Sequence, residues 1–267
     1  MLKDITIGQY FPGDSFLHRL DPRFKIVMTL LYIVMLFMSG ELYSMIFGMI
    51  YCIVAFILSN LSIKLFRKNI KPLLPILLIT AVLDLLFIRE GTVYFQAGFF
   101  KLTEDGVFTA VRMVVRILFL IIGSSLLTYT TSPIQLTDAI ERLLSPLKKL
   151  HFPVHSFAMM MSIALRFIPT LMDETDKIIA AQKARGAGFD SSKLMDKAKA
   201  LVPVLIPLFV SAFRRAEELA TAMECRCYRG DVGRTKMKAM SAGRNDFIAL
   251  TVTLLMLCAA IVTTVLF

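Results

Sequence analysis

The sequence predicts an all-α polytopic membrane protein, with about five transmembrane helices and a cytoplasmic domain of long helices. Three observations lead there. Of the 267 residues, 57% are hydrophobic and only 19% charged, with mean hydropathy +0.70; a soluble chain is nearer half apolar and about a quarter charged. The apolar residues are gathered in blocks long enough to cross a hydrocarbon core of about 30 Å, which takes roughly 20 helical residues. The net charge of +10, with a pI of about 9.6, lies mostly between those blocks. That is the positive-inside pattern, and it points to a bilayer and away from nucleic acid.

The leader carries Pro12, Gly13 and charges, unlike the basic-then-apolar run of a signal peptide, so the first apolar block is expected to be kept. Block one runs from about Phe24 to Met38, block two from Tyr43 to Leu61 and block three from Pro72 to Ile88. Block four runs from Val107 to Tyr129 and block five from Phe247 to Phe267. The leader, with Lys3, Arg19, Arg23 and Lys25, and the second connection, with Lys64, Arg67, Lys68 and Lys71, read as cytoplasmic. The first connection, with only Glu41, and the mixed third connection read as external. Thr131 to Asp246 holds 18 of the 30 lysines and arginines and must be inside. The expected organisation is therefore a four-helix membrane region at 1–130, a cytoplasmic domain at 131–246 and a last span at 247–267. The N-terminus would be cytoplasmic and the C-terminus external. Val154–Leu171 and Leu201–Phe213 are apolar, short and proline-containing, and read as buried or interfacial segments.

Beyond Lys25 at the start of block one, three charged residues fall inside the blocks. Asp84 sits near the outer end of block three, and Arg112 and Arg116, one turn apart on one face, sit near the outer start of block four. Intramembrane charges raise the idea of a solute or proton path. No chain of further acids or histidines continues inward, which favours a structural ion pair or arginines reaching the interface.

In the cytoplasmic segment, Ser132-Pro133 opens a helix that runs to about Leu144 and is interrupted at Ser145-Pro146. A second helix begins after Pro153, with Phe157, Met160, Met161, Ala164 and Ile168 in helical spacing, and ends at Ala184-Arg185-Gly186, where Gly186 can cap it. A third starts near Ser191, carries Leu205, Leu208, Phe209 and Ala212 along one stripe, and ends at Cys225-Arg226-Cys227. The two long helices share a plan: an apolar, proline-containing first half, a charged second half, and an arginine between small residues at the tip. Such stripes pack against something, and methionine-rich ones such as Met159 to Met161 also suit partners that are re-bound. Each tip arginine either complements the negative end of its helix dipole or presents a bidentate fork to acceptors on another protein.

No catalytic constellation emerges. His18, His151 and His155 match no metal-ligand motif, and Cys52, Cys225, Cys227 and Cys258 suit neither a disulfide framework nor a zinc site. There is no glycine-rich loop ending in Lys and Ser or Thr. The chain is expected to hold no cofactor or metal of its own, and any ATP use must come from another subunit. A self-contained permease would need polar groups converging at mid-membrane, and only the off-centre Asp84, Arg112 and Arg116 offer any. An intramembrane enzyme would need a nucleophile with a base or a metal pair within a span, and none is visible.

The leader Tyr10-Phe11-Pro12-Gly13-Asp14-Ser15, followed by His18-Arg19-Leu20-Asp21-Pro22-Arg23-Phe24-Lys25, resembles the N-terminal signature of the transmembrane T components of energy-coupling factor transporters, relatives of ABC importers. Leu165-Arg166-Phe167-Ile168-Pro169-Thr170-Leu171, Glu174, the stretch from Ala181 to Gly186, and Ala222 to Tyr228 resemble the same family. The likeness covers nearly the whole chain. Family members often read Ala-Arg-Gly at both tips; here the second reads Cys-Arg-Cys. The resemblance implies a multi-pass protein of the bacterial cell membrane whose long helices couple to two ABC-type ATPase subunits. Ala184, Arg185 and Gly186, with Cys225, Arg226 and Cys227, would dock in grooves on those subunits, which would bind ATP and Mg. The apolar faces carrying Met160, Met161, Leu205, Leu208, Phe209 and Ala212 would hold a small membrane-embedded substrate-binding (S) subunit, for uptake of vitamins or other micronutrients.

Overall fold

A computed structural model describes residues 10–40, 42–88, 92–97, 100–150, 153–186, 194–230 and 240–266. Within them the chain divides into two units, one formed by Gly8–Ala139 with Ala239–Phe267 and the other by Ile140–Lys238.

The first unit is a helical bundle. After a short turn of helix, α1 (Phe16–Arg19), come α2 (Pro22–Met38) and α3 (Leu42–Ser59). A short helix, α4 (Ile63–Ile70), leads through a 3-10 turn into α5 (Leu74–Phe87), followed by α6 (Glu104–Thr130) and the closing α10 (Arg244–Leu266). Between α5 and α6 the third connection forms an antiparallel hairpin, β1 (Val93–Ala97) and β2 (Phe100–Thr103). Apart from this hairpin, for which the sequence reading had no counterpart, the described architecture is helical.

Buried residues explain the packing. Tyr32, Met35 and Leu36 of α2, Cys52 of α3 and Ala260 of α10 form one cluster, with Phe119 and Leu120 of α6 against it. The Tyr32 hydroxyl donates to the Phe119 carbonyl at 2.8 Å, and the Tyr32 ring stacks on Tyr51 at 5.6 Å. Gly123 makes this contact possible, since a Cβ there would lie 2.2 Å from the Tyr32 ring. Phe66 of α4 meets the edges of Phe56 and Tyr129, which closes a second cluster around Leu126.

Ile63–Phe87, Glu104–Thr130 and Arg244–Leu266 are long and apolar enough to cross a membrane, and they carry blocks three, four and five. At 17 and 18 residues, α2 and α3 stand at the short end of the roughly 17–25 residues a crossing takes.

The second unit holds α8 (Val154–Ala184) and α9 (Leu194–Cys225). Helix α7 (Pro133–Leu143) precedes it, opened by reciprocal bonds in which the Gln135 amide donates to Ser132 Oγ at 3.3 Å and the Ser132 amide to Gln135 Oε1 at 3.2 Å. The 3-10 turn at Ser145–Leu150 is the interruption expected at Ser145-Pro146. Ser191 and His151 lie outside the described residues.

The apolar stretches at 154–171 and 201–213 are the first halves of unbroken helices of 31 and 32 residues, as the plan of two long helices requires. Val154–Ala184 is itself long and apolar enough to span a bilayer. Of the two readings of these stretches, burial within the chain holds for Val154, Ala158 and Val204 but not for Leu201, Ile206, Phe209, Val210 and Phe213, which are all at least half exposed. Prolines do not end α9, because the one carbonyl that Pro207 cannot bond has another donor. Pro207 lacks the N–H that would meet the Pro203 carbonyl, and that oxygen accepts from Gln182 Nε2 of α8 at 3.4 Å.

Candidate functional site

The candidate site is the α8–α9 hairpin and its two tips. Three contacts define the pairing: Gln182 with Pro203, Glu174 with Ser211 and Arg215, and Met159 with Tyr228, whose hydroxyl lies 3.2 Å from Met159 Sδ. Residues approaching the α8 C-terminus thus meet residues approaching the α9 N-terminus, so the helices run antiparallel and their C-terminal tips point to opposite ends of the hairpin. At about 1.5 Å per residue, the tips stand roughly 35–40 Å apart along the helices.

Each tip is built by the same local rule. A helix leaves its last carbonyls without partners, and a residue in the left-handed conformation turns the chain so that following amides can satisfy them. At the end of α8, Arg185 is the capping residue, with its N–H on the Ala181 and Gln182 carbonyls; Gly186, at φ +85°, donates to Lys183. At the end of α9, Arg226 donates to Met223 and Cys227, at φ +56°, donates to Glu224 at 2.8 Å; Tyr228 closes the cap on Met223 at 3.1 Å. Both arginines therefore occupy the same capping position, and both side chains are exposed. Ala184, Gly186, Cys225 and Cys227 are exposed beside them.

The middle of the hairpin is held by Glu174. One carboxylate oxygen accepts from the Ser211 hydroxyl, and the other lies 3.0 Å from an Arg215 guanidinium nitrogen. The Ser211 hydrogen bond, helped by Arg215 and against a smaller opposing effect of burial, holds this carboxyl below the usual glutamate range.

The residues expected on the apolar faces separate into two sets. Met160, Met161, Leu205 and Phe209 are 58%, 41%, 47% and 61% exposed. Leu208 and Ala212 are half-buried, and Leu208 falls in helical register with buried Val204 and with Ser211 and Arg215, which meet α8. Leu208 thus belongs to the helix-facing side.

The membrane charges do not form the expected ion pair. Arg116 donates to the Ser39 carbonyl at 2.6 Å, and Arg112 donates to the Gly40 carbonyl and to Thr109 Oγ1. Among the described residues Asp84 has no ion pair with either. The end of α2 presents free carbonyls there, and the arginines serve as donors to that helix end.

Sequence reading missed a buried polar knot in the first unit. The Asp246 carboxylate accepts from the backbone amides of Asp21 and Gly243, both at 2.7 Å. Asp21 caps α2 through the Arg23 amide at 2.9 Å and pairs with the Arg23 guanidinium at 2.6 Å. Buried Lys25 donates to the Thr130 carbonyl at 3.0 Å and to Thr131 Oγ1 at 3.3 Å. His18 Nε2 donates to the Phe11 carbonyl at 2.9 Å and its Nδ1 accepts from Ser15 Oγ. The leader signature thus ties α2, the end of α6 and the start of α10 together.

The chain matches the family model described as CbiQ, cobalt transport protein, over residues 13–238. It is 52% identical over 265 residues to the energy-coupling factor transporter transmembrane protein EcfT of Clostridium kluyveri, covering 98% of each chain. The protein of the same description from Ruminiclostridium cellulolyticum is 51% identical over 253 residues, covering 95% of this chain and 94% of that one. The one from Bacillus subtilis is 45% identical over 259 residues, covering 97% of each.

Proposed function

We propose, from the premise that this chain belongs to the CbiQ cobalt transport family and with it to the energy-coupling factor transmembrane proteins, that it is the coupling subunit of such a transporter. It is a multi-pass membrane component of a larger complex. In the finer reading, Arg185 and Arg226 dock on two ABC-type ATPase subunits that bind ATP and Mg. The exposed face with Met160, Met161, Leu205 and Phe209 meets a small membrane-embedded S subunit that carries a vitamin or other micronutrient. The N-terminus and residues 131–246 are cytoplasmic and the C-terminus external, as the distribution of lysine and arginine supports.

One observation carries the docking reading. Two arginines hold the same capping position, exposed, at opposite ends of one antiparallel hairpin. A cation serving only its own helix dipole needs no such separation, whereas two separate partner sites do. A helix about 45 Å long is stiff enough to carry a displacement between them. The chain itself does no chemistry in this reading; it transmits movement.

The test is purification of the tagged chain in mild detergent with everything that accompanies it. Two ATPases and a small hydrophobic subunit are expected, and Arg185→Ala or Arg226→Ala should each cut ATPase recovery by about tenfold or more, the weight of a charge-assisted bond of roughly 1.5–3 kcal/mol. A lone chain that transports solute in vesicles would assign it to the self-contained permeases. Unchanged recovery in both variants would remove the tips from the docking role.

A further inference from the structure

The second tip is not a bare helix end. Arg226 opens into a cleft of about 580 Å³ whose other wall is the first half of α8, with Ser162 and Arg166, and whose rim carries Arg229. Three arginines line it, Arg166 from α8, Arg226 at the cap of α9 and Arg229 from the segment that follows, and no acidic residue does. None of the three makes a side-chain hydrogen bond or ion pair among the described residues. The tether from Tyr228 to Met159 holds the two walls in register.

We propose that this cleft receives an acidic segment of the partner that docks at the second tip, with Arg166 and Arg229 adding to Arg226. The inference rests on the docking reading and extends it. Three like charges around one cleft repel each other until an anion enters, so binding is strongest for a partner that brings more than one carboxylate. Arginine forks suit planar carboxylates, and the apolar residues Met159, Ile163 and Met223 line the cleft between them. Because Arg166 comes from α8 and Arg226 from α9, an occupant spans both helices. Docking at this tip and closure of the hairpin therefore favour each other.

The experiment is ATPase-subunit binding to the purified chain in nanodiscs, measured across a salt series for Arg166→Ala, Arg229→Ala and Arg226→Ala. The expected result is a loss of about tenfold for Arg166→Ala and for Arg229→Ala, with a shallower salt dependence in each. Arg166→Lys, which keeps the charge, should recover part of the loss. If Arg226→Ala abolishes binding while the other two leave affinity and salt dependence unchanged, the cleft has no role and the docking reading stands. If Arg226→Ala also binds normally, the cleft proposal and the docking role of the second tip both fall, and the first tip is decided by Arg185→Ala. A loss in Arg166→Ala seen only in phosphatidylglycerol nanodiscs and absent in phosphatidylcholine would identify the anion as a lipid phosphate and overturn the proposal.

Discussion

Cys227 stands in the backbone position that Gly186 occupies at the other tip, the left-handed residue directly after the capping arginine. Glycine takes that conformation freely, while a residue with a Cβ pays about 1–2 kcal/mol for it. Both caps form, so the arginine position and the hydrogen bonds survive the exchange of glycine for cysteine. Cys227→Gly should therefore raise the protection of the Tyr228 amide in hydrogen exchange without loss of ATPase recovery. Gly186→Ala should lower thermal stability by about 1 kcal/mol, although open space surrounds that site. A Cys227→Gly variant that exchanges faster at Tyr228 would refute the shared-cap account.

Glu174 binds α8 to α9 through Ser211 and Arg215, and the double-mutant cycle measures it. Glu174→Ala and Arg215→Ala should each lower the melting temperature, and the double variant should be no worse than the poorer single one. Additive losses would show that the two residues act separately. The pH dependence has a definite sign. The carboxyl is held below its ordinary value of 4.5, so its contribution is present above that value and is lost as pH falls through the lower folded-state value. Wild type should lose more stability than Glu174→Gln when pH is taken from 6 to about 3.

The tips and the membrane blocks were legible because they depend on local patterns. A helix cap is written within six residues, and an apolar block announces its own environment. The two long helices were legible through Pro169, Pro203 and Pro207, but what accommodates Pro207 was not, since the donor that takes the freed carbonyl, Gln182, lies 21 residues from Pro203. Arg112 and Arg116 were read as pairing with Asp84 or reaching the interface, and the carbonyls of Ser39 and Gly40 were not foreseen, because backbone carbonyls at a helix end carry no mark in a sequence. Leu205 and Leu208 look alike in the stripe, and only the partner helix separates the outward face from the packed one. Asp246 was invisible for a stronger reason: its partner amide at Asp21 is 225 positions away.

That distance makes Asp246 a test of the polar knot. Asp246 is 4% exposed, and its carboxylate accepts two backbone N–H bonds, each worth about 1.5–3 kcal/mol to a charged group. Asp246→Ala should cost about 3 kcal/mol or more and sharply reduce the yield of folded protein. Asp246→Asn, which keeps one acceptor oxygen, should cost about half as much. Equal melting temperatures for wild type and Asp246→Ala would mean that water replaces the carboxylate and that the leader is not anchored there.

Gly123 and Tyr32 give the complementary test in the apolar core. An added Cβ at residue 123 would fall 2.2 Å from Tyr32 Cε1, a distance no side chain tolerates. The ring cannot easily retreat, because its hydroxyl is bonded to the Phe119 carbonyl and its face is stacked on Tyr51. Gly123→Ala must therefore push α6 away from α2 or break the Tyr32 hydroxyl bond, at a cost of about 1–3 kcal/mol for overpacking. The two responses separate on a second background. With Tyr32→Phe the hydroxyl bond is already gone, so a Gly123→Ala loss of the same size there means that the helices themselves move. A much smaller loss means that the ring was yielding by giving up Phe119. A Gly123→Ala protein as stable as wild type on both backgrounds would show that α2 and α6 do not pack as closely as the Tyr32 contact requires.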